Sequence, residues 1–476
     1  MAGHILESDE KDHRSVLASI DKEGRRKNLI VAIVPGFWRR CRVAVALVLI
    51  AFYMAAPLIH VGGMPMVRID IPNRHYIFMG HIFWPQDFFY FLLLFLTGII
   101  ATVALVSLLG RVFCGWICPH NVFLEIIYRP IERFFEGPAH RHRLRNQRRE
   151  LTTSERARRV GKWIAYALVS GALANTATAL FVGTDAFLYG LIIDPISHPA
   201  AATFFAFAFV IIHGNFVWFR EQTCTIICPY GRLQSALLDS ESLIVGYDPR
   251  RGEPRGKATV ATNGDCIDCN LCVDVCPTGI DIRNGTQMEC IQCSACIDAC
   301  DSVMRKLERP INLISYTSEN ALQGLRHRFL RPRTLLYGFV LLLLVSLTSV
   351  AIAQRPLFQL SRMRDAPPLS SITTSDGQTL VTMVVNVAII NKTPHDALAS
   401  YTLPDNSQAE VVSFGPQLAL PANARSLHTF RILVPAEALR DRGYETTIRL
   451  EIPNWGRPLL IPVRLPQRRP ASESPI

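Results

Sequence analysis

No two histidines face each other within the long apolar runs of this 476-residue sequence: His213 lies inside such a run, and His60 sits just past the end of another. That excludes a haem held between two histidines inside the roughly 30 Å hydrocarbon core of a bilayer. A glycine-rich nucleotide-binding loop is also missing, so a nucleotide reductant would have to act through a separate protein. Residues 354–476 contain no cysteine, and no disulfide marks their compartment. Residues 183–199 contain no lysine or arginine, in a chain that has 50.

Cysteine is what the sequence does have. Eight of the thirteen fall between residues 266 and 300, in two runs. The first is Cys266-x₂-Cys269-x₂-Cys272-x₃-Cys276-Pro277, and the second is Cys290-x₂-Cys293-x₂-Cys296-x₃-Cys300. Zinc sites pair two Cys-x₂-Cys units across a longer spacer. Three cysteines at x₂ spacing and a fourth at x₃, given twice, follow instead the rule of a bacterial two-cluster ferredoxin, whose fourth cysteine ligates the other cluster. The spacing predicts one [4Fe–4S] cluster on Cys266, Cys269, Cys272 and Cys300. It predicts a second on Cys290, Cys293, Cys296 and Cys276.

Hydrophobic residues make up 49% of the chain, beside its many basic ones. Five apolar stretches approach the 20 or so residues that a membrane helix needs. They are Val43–Ile59, Phe88–Leu109, Trp163–Val182, Ala200–Trp218 and Thr334–Ala353. Arg25, Arg26, Lys27, Arg39, Arg40 and Arg42 precede the first, and eleven basic residues crowd between Arg129 and Lys162. The loop between the first two stretches has only Arg68 and Arg74. The positive-inside rule puts the N-terminus and the arginine-rich loop in the cytoplasm. That loop reads as topology and anionic-lipid contact rather than nucleic-acid binding. The cysteine runs then fall in the reducing cytoplasm, and everything after the fifth stretch lies in the periplasm.

The expected fold is a multi-domain membrane protein with an α-helical transmembrane bundle of five spans. An α+β two-cluster ferredoxin domain is inserted in it, and a C-terminal all-β immunoglobulin-like sandwich follows. Residues 1–42 read as a cytoplasmic tail, 43–240 as a four-span membrane domain, 241–315 as the ferredoxin domain, 334–353 as the fifth helix and 360–476 as the sandwich. Val381–Ile390, Tyr444–Ile452 and Leu459–Leu465 are its clearest strands, punctuated by proline, glycine and asparagine. His395, Asp396 and His428 form no catalytic pattern there, which suits a docking or structural domain.

A second thiol pattern is duplicated. Arg111-Val-Phe-Cys114-Gly-Trp-Ile-Cys118-Pro119 follows the second apolar stretch, and Arg220-Glu-Gln-Thr-Cys224-Thr-Ile-Ile-Cys228-Pro229 follows the fourth. On a helix, positions i and i+4 share a face, so each pair offers two sulfurs to one metal. Four soft thiolates suit Cu(I), zinc or a further iron–sulfur centre, and each pair could instead cycle as a disulfide. Cys41 has no partner by spacing and reads as packing. His60, Met64, Met66, His75, Met79 and His81 lie in the first outer loop, where no spacing defines a copper site.

The chain resembles the cytochrome c oxidase accessory protein family (CcoG, FixG, RdxA) over nearly its whole length. The resemblance rests on Tyr76-Ile-Phe, Phe83-Trp-Pro-Gln-Asp87, Phe113-Cys-Gly-Trp-Ile-Cys-Pro119 and Ile131-Glu-Arg-Phe-Phe-Glu-Gly137. It continues through Tyr247-Asp-Pro-Arg-Arg-Gly-Glu-Pro-Arg255, Gly264-Asp-Cys-Ile-Asp-Cys269, Cys276-Pro-Thr-Gly-Ile-Asp-Ile-Arg283 and Cys296-Ile-Asp-Ala-Cys-Asp301. Asp301 stands where a proline often follows the last ligand of simple ferredoxins. The resemblance implies assembly of a cbb-type oxidase in a bacterial inner membrane, through reduction of Cu(II) to Cu(I). Cys114, Cys118, Cys224 and Cys228 would hold the copper. Oxidase subunits or copper-delivery proteins, and a cytoplasmic electron donor, are the implied partners. Two other readings remain open: a quinol-linked membrane ferredoxin of a respiratory chain, and a scaffold without enzymatic activity.

Overall fold

The computed structural model describes residues 29–61, 64–71, 75–142, 152–183, 196, 198–257, 264–325, 331–362, 370–373, 379–404, 407–412, 417–439, 444–453 and 455–465. Most of the expected N-terminal tail lies outside them. The chain divides into two compact units, Met1–Val350 and Ala351–Ile476.

Among the described residues, five long helices precede the strands of the second unit: α1 (Phe37–Ala55), α2 (Phe88–Leu109), α3 (Thr153–Val182), α4 (Pro199–Gly214) and α5 (Pro332–Ala353). Helix α4 runs on through a π-helical turn, Asn215–Phe219. Among the described residues, four helices, α2, α3, α4 with its extension, and α5, are long and apolar enough to cross a membrane. Their outer faces carry large apolar side chains, such as Phe95 at 68% exposure and Leu342 at 66%. Water would not tolerate so much apolar surface, and lipid does.

Helix α1 departs from expectation. It takes in Arg39, Arg40 and Arg42 at its start and ends at Ala55, before the expected limit at Ile59. Pro57 lacks the N–H that would continue the helix. Its apolar part, Val43–Ala55, spans about 20 Å at 1.5 Å per residue. Helix α3 departs the other way, starting ten residues before Trp163. A capping box explains this: Thr152 Oγ1 accepts the Glu155 N–H at 3.3 Å, and Glu155 Oε2 accepts the Thr152 N–H at 2.9 Å.

The segment between α1 and α2 holds a small antiparallel sheet of β1 (Val67–Asp70), β2 (His75–Phe78) and β3 (His81–Phe83). The cysteine-rich segment is closed by β4 (Ile244–Tyr247) and β5 (Ile314–Thr317), paired antiparallel from Ile244↔Thr317 to Tyr247↔Ile314. Between them lie the two runs and the short helices Leu271–Asp274 and Ala295–Lys306. Val245, Tyr247, Ile280, Ile282, Ile297 and Met304 form their core.

The second unit has β6 (Phe358–Arg362), β7 (Ser370–Thr373), β8 (Thr379–Asn391), β9 (Ala397–Thr402), β10 (Glu410–Val412), β11 (Gln417–Leu420), β12 (Arg425–Pro435), β13 (Tyr444–Glu451) and β14 (Leu459–Leu465). One sheet has the order β10-β12-β8-β6, with β7 also on β8, and the other has β11-β9-β13-β14. On β13, Thr446, Ile448 and Leu450 are buried while Glu445, Arg449 and Glu451 are exposed. That period of two presents one apolar face, and Ile448, Leu450, Ile461 and Val463 share a core with Val385, Phe430 and Ile432 of the other sheet.

Candidate metal centres

Each cysteine run folds into the same backbone loop. Asp268 and Asn270 stand two and four residues after Cys266; Gln292 and Ser294 stand two and four after Cys290. All four have positive φ, between 54° and 63°. Asp and Asn tolerate this conformation through local hydrogen bonding. Alternating backbone hand turns successive N–H groups inward, as in anion nests and many iron–sulfur sites.

The loops leave two cavities. One is lined by Cys276, Cys290, Cys293 and Cys296, together with Cys272. The other is lined by Cys266, Cys269, Cys272 and Cys300. Val245, Ile280, Ile282 and Ile291 wall the first, and Met304, Leu313 and Ile314 wall the second. Burial in these apolar walls pushes the Cys272 and Cys293 thiols up to about 11, and those of Cys290 and Cys300 up to about 12. Loading must therefore displace protons. Two hollows lined by thiols and cradled by inward N–H groups fit two [4Fe–4S] groups.

The second thiol pattern is repeated in three dimensions. Helix α2 ends at Gly110 (φ 62°, ψ −132°), and the extension of α4 ends at Arg220 (φ 49°, ψ −122°). Both stand four residues before the first cysteine of their motif. The next residue in each half is charged and 3% exposed: Arg111 in one and Glu221 in the other. Cys114 then sits in the short helix Val112–Trp116, and Cys224 in the π-helical turn Thr223–Ile227.

The expectation that each pair shares one helical face is corrected. Cys118 (ψ 121°) and Cys228 (ψ 109°) leave the helix and become the N-caps of new helices, Pro119–Phe123 and Pro229–Leu237. Proline disfavours helical geometry in the residue before it and is itself favoured at a first helical position. The i+4 periodicity therefore fails at both sites for one reason. The four thiols still act electrostatically on one another. Burial pushes Cys114 up to about 11, partly opposed by Arg111, and pushes Cys224 up to about 12. Cys114 Sγ donates to Gln234 Oε1 at 2.8 Å. The halves interlock beside the thiols: His120 Nε2 meets Arg220 O at 2.8 Å, and its Nδ1 meets Asn215 Nδ2 at 3.0 Å.

This thiol set abuts the cysteine-rich segment. A Cβ on Gly115 would lie 2.5 Å from Ile291 O and 3.0 Å from the Cys293 backbone. Only glycine permits that approach. Around it, Arg111 N–H donates to Gln292 Oε1 at 2.9 Å, and Gln292 Nε2 donates to Leu243 O at 2.8 Å. Trp116 Nε1 donates to Tyr316 Oη at 3.1 Å, and Tyr316 Oη donates to Gln292 O at 2.9 Å. Asp298 accepts the Trp38 and Arg39 N–H groups at 3.1 and 2.7 Å, capping α1 from outside. Sequence reading missed Arg111, Gln292 and Asp298. Only the matched offsets of Arg111 and Glu221 before their cysteines signal one of them.

Among the described residues, one other group of ligand atoms lies close together. Donor atoms of Glu132, Glu136 and His142 fall within 4.8 Å of one another. Arg220 already binds Glu132 at 2.8 and 3.2 Å; Lys162 and His142 hold Glu136 at 2.7 and 2.6 Å. This is an ion-pair network with its charges matched. Of the histidine and methionine candidates between α1 and α2, His75 approaches Asp70 at 3.8 Å.

Apolar helices and thiol-lined cavities define a membrane iron–sulfur electron-transfer protein. A 4Fe-4S dicluster domain model matches residues 219–319, and a 4Fe-4S binding domain model matches residues 89–138. Protein RdxA of Cereibacter sphaeroides is 31% identical over 446 residues, covering 89% of this chain and 93% of that protein. Protein RdxB of the same organism is 35% identical, covering 66% of this chain and 69% of RdxB. The nitrogen fixation protein FixG of Rhizobium meliloti is 36% identical, covering 62% and 58%. The chain belongs to the FixG/RdxA family of 4Fe–4S ferredoxin proteins.

Proposed function

We propose that this protein reduces Cu(II) to Cu(I) at the cytoplasmic face of a bacterial inner membrane, for the copper centre of a cbb-type cytochrome c oxidase. Cys266, Cys269, Cys272 and Cys300 hold one [4Fe–4S] cluster; Cys276, Cys290, Cys293 and Cys296 hold the other. Such clusters supply electrons one at a time. Cys114, Cys118, Cys224 and Cys228 receive the copper, because soft sulfur favours Cu(I). One electron turns Cu(II) into Cu(I), and a cytoplasmic donor replaces that electron. The product passes to an oxidase subunit or a copper-delivery protein.

The observation that carries this reading is Gly115, whose backbone sets the thiol set against Ile291 and Cys293 of the first cavity. The basic residues before α1 and between α2 and α3 favour a cytoplasmic N-terminus and cysteine-rich segment. In this topology α1 is a fifth span, and the C-terminal unit is a periplasmic immunoglobulin-like sandwich that docks partners. The test replaces Cys114, Cys118, Cys224 and Cys228 with serine and follows Cu(II) reduction with a Cu(I)-specific chelator. Loss of reduction at unchanged iron content is expected. Undiminished reduction would overturn the proposal.

A further inference from the structure

Arg111 is buried at 3% exposure. Its Nη1 donates to Met288 O, and its guanidinium favours the thiolate form of Cys114. It lines a small cavity with Cys290, Leu238, Ile282, Gln287 and Gln292. Its Nη2 would lie 3.1 Å from a Cβ on Gly231, beside Cys224 O. Its charge is felt at Cys114 and Cys224 on one side and at Cys290 on the other.

What Arg111 lacks, among the described residues, is a carboxylate. None of the ion pairs among the described residues involves it, and its Nε has no hydrogen-bond partner among them. Arg129 offers the contrast. It also reaches the cysteine-rich segment, donating to Pro277 O at 3.0 Å, but Glu125 and Glu221 neutralise it at 3.0 and 3.7 Å. A guanidinium keeps its charge when buried, and burying it without a counter-charge is costly. Among the described residues, the sulfurs on either side are the groups that can supply its counter-charge, once they bind metal as thiolates.

We infer that Arg111 is the shared counter-ion of the two thiol sites, and that its charge raises the reduction potential of the cluster on Cys276, Cys290, Cys293 and Cys296. The inference rests on the proposed cluster assignment. A [4Fe–4S] core with four thiolates carries a net charge of about −2, and of about −3 once reduced. A fixed positive charge nearby favours the reduced form. Arg111 is thus a positioning residue that acts through the cluster.

The test is a potentiometric titration of the full-length protein, anaerobic and followed by EPR, in wild type, R111K and R111Q. In R111Q one cluster should lose about tenfold in its equilibrium constant for reduction, a shift of about 59 mV for one electron. The other cluster should not move, and R111K should stay near wild type. A wild type without two [4Fe–4S] signals overturns the cluster assignment and the inference with it. Two signals that R111Q leaves in place, or that shift equally, overturn the inference alone, as does an R111K shift as large as that of R111Q. Should R111Q fail to load iron, Q287E puts a negative charge in the same cavity. It should lower the potential of the same cluster, and an unmoved potential overturns the inference.

Discussion

Gly115 lies against Cys293 so closely that a side chain on the glycine would meet the cysteine's own backbone at 3.0 Å. One residue belongs to the thiol motif after α2, and the other to the second cysteine run. G115A should push the two apart. Cu(II) reduction, read in single-turnover mixing with pre-reduced protein, should slow severalfold at full iron content. Stability should fall by about 1–3 kcal/mol, the usual cost of forcing extra volume into a tight contact.

Asp298 ties α1 to the helix Ala295–Lys306 by accepting the N–H groups of Trp38 and Arg39. Replacing it with alanine removes an N-cap, typically worth about 0.5–2 kcal/mol. Limited proteolysis should then cut faster between residues 29 and 36, and D298N should restore part of the protection. Equal cutting of wild type and D298A would refute the capping role.

Gln292 satisfies Arg111 N–H with one end of its amide and Leu243 O with the other. Q292L leaves both backbone groups buried without these partners, at about 1–3 kcal/mol each. Thermal unfolding followed by loss of the iron–sulfur absorbance should come at lower temperature.

Burial raises the Cys114 thiol to about 11 and the Cys224 thiol to about 12. A raised thiol pKa keeps the sulfur protonated at neutral pH, and the thiolate is the nucleophile. Before copper is added, alkylation of these two by iodoacetamide should be slow at pH 8. It should rise about tenfold per pH unit toward pH 11, since the thiolate fraction does. Peptide mass mapping after timed labelling would read this, and a plateau already at pH 9 would contradict it.

Phe430 is fully buried where the two sheets of the C-terminal unit share a core. F430A should cost that unit about 3–5 kcal/mol. Hydrogen exchange in β8 and β12 should accelerate while the iron–sulfur absorbance stays unchanged, because the two units are separate.

What the sequence could show depended on how local each feature is. The cysteine runs are short-range, so their spacing was readable, as was the period of two in β13. The break before Cys118 and Cys228 is also legible in principle, since each cysteine precedes a proline, but the i+4 spacing points the other way. The early end of α1 followed from Pro57 in the same way. Arg111 and Gln292 are 181 residues apart, and Asp298 is 260 from Trp38. No local pattern announces such pairs, because only the docked structure makes them neighbours.

Each half of the membrane region contributes two of the four thiols, and His120 of one half is latched to Arg220 and Asn215 of the other. Neither half has a complete site. On the proposed function, the copper site has no existence during synthesis until both halves have been made and met. An ion held there would act as a rivet across the seam, so a change that loosens the seam would release metal as well as structure.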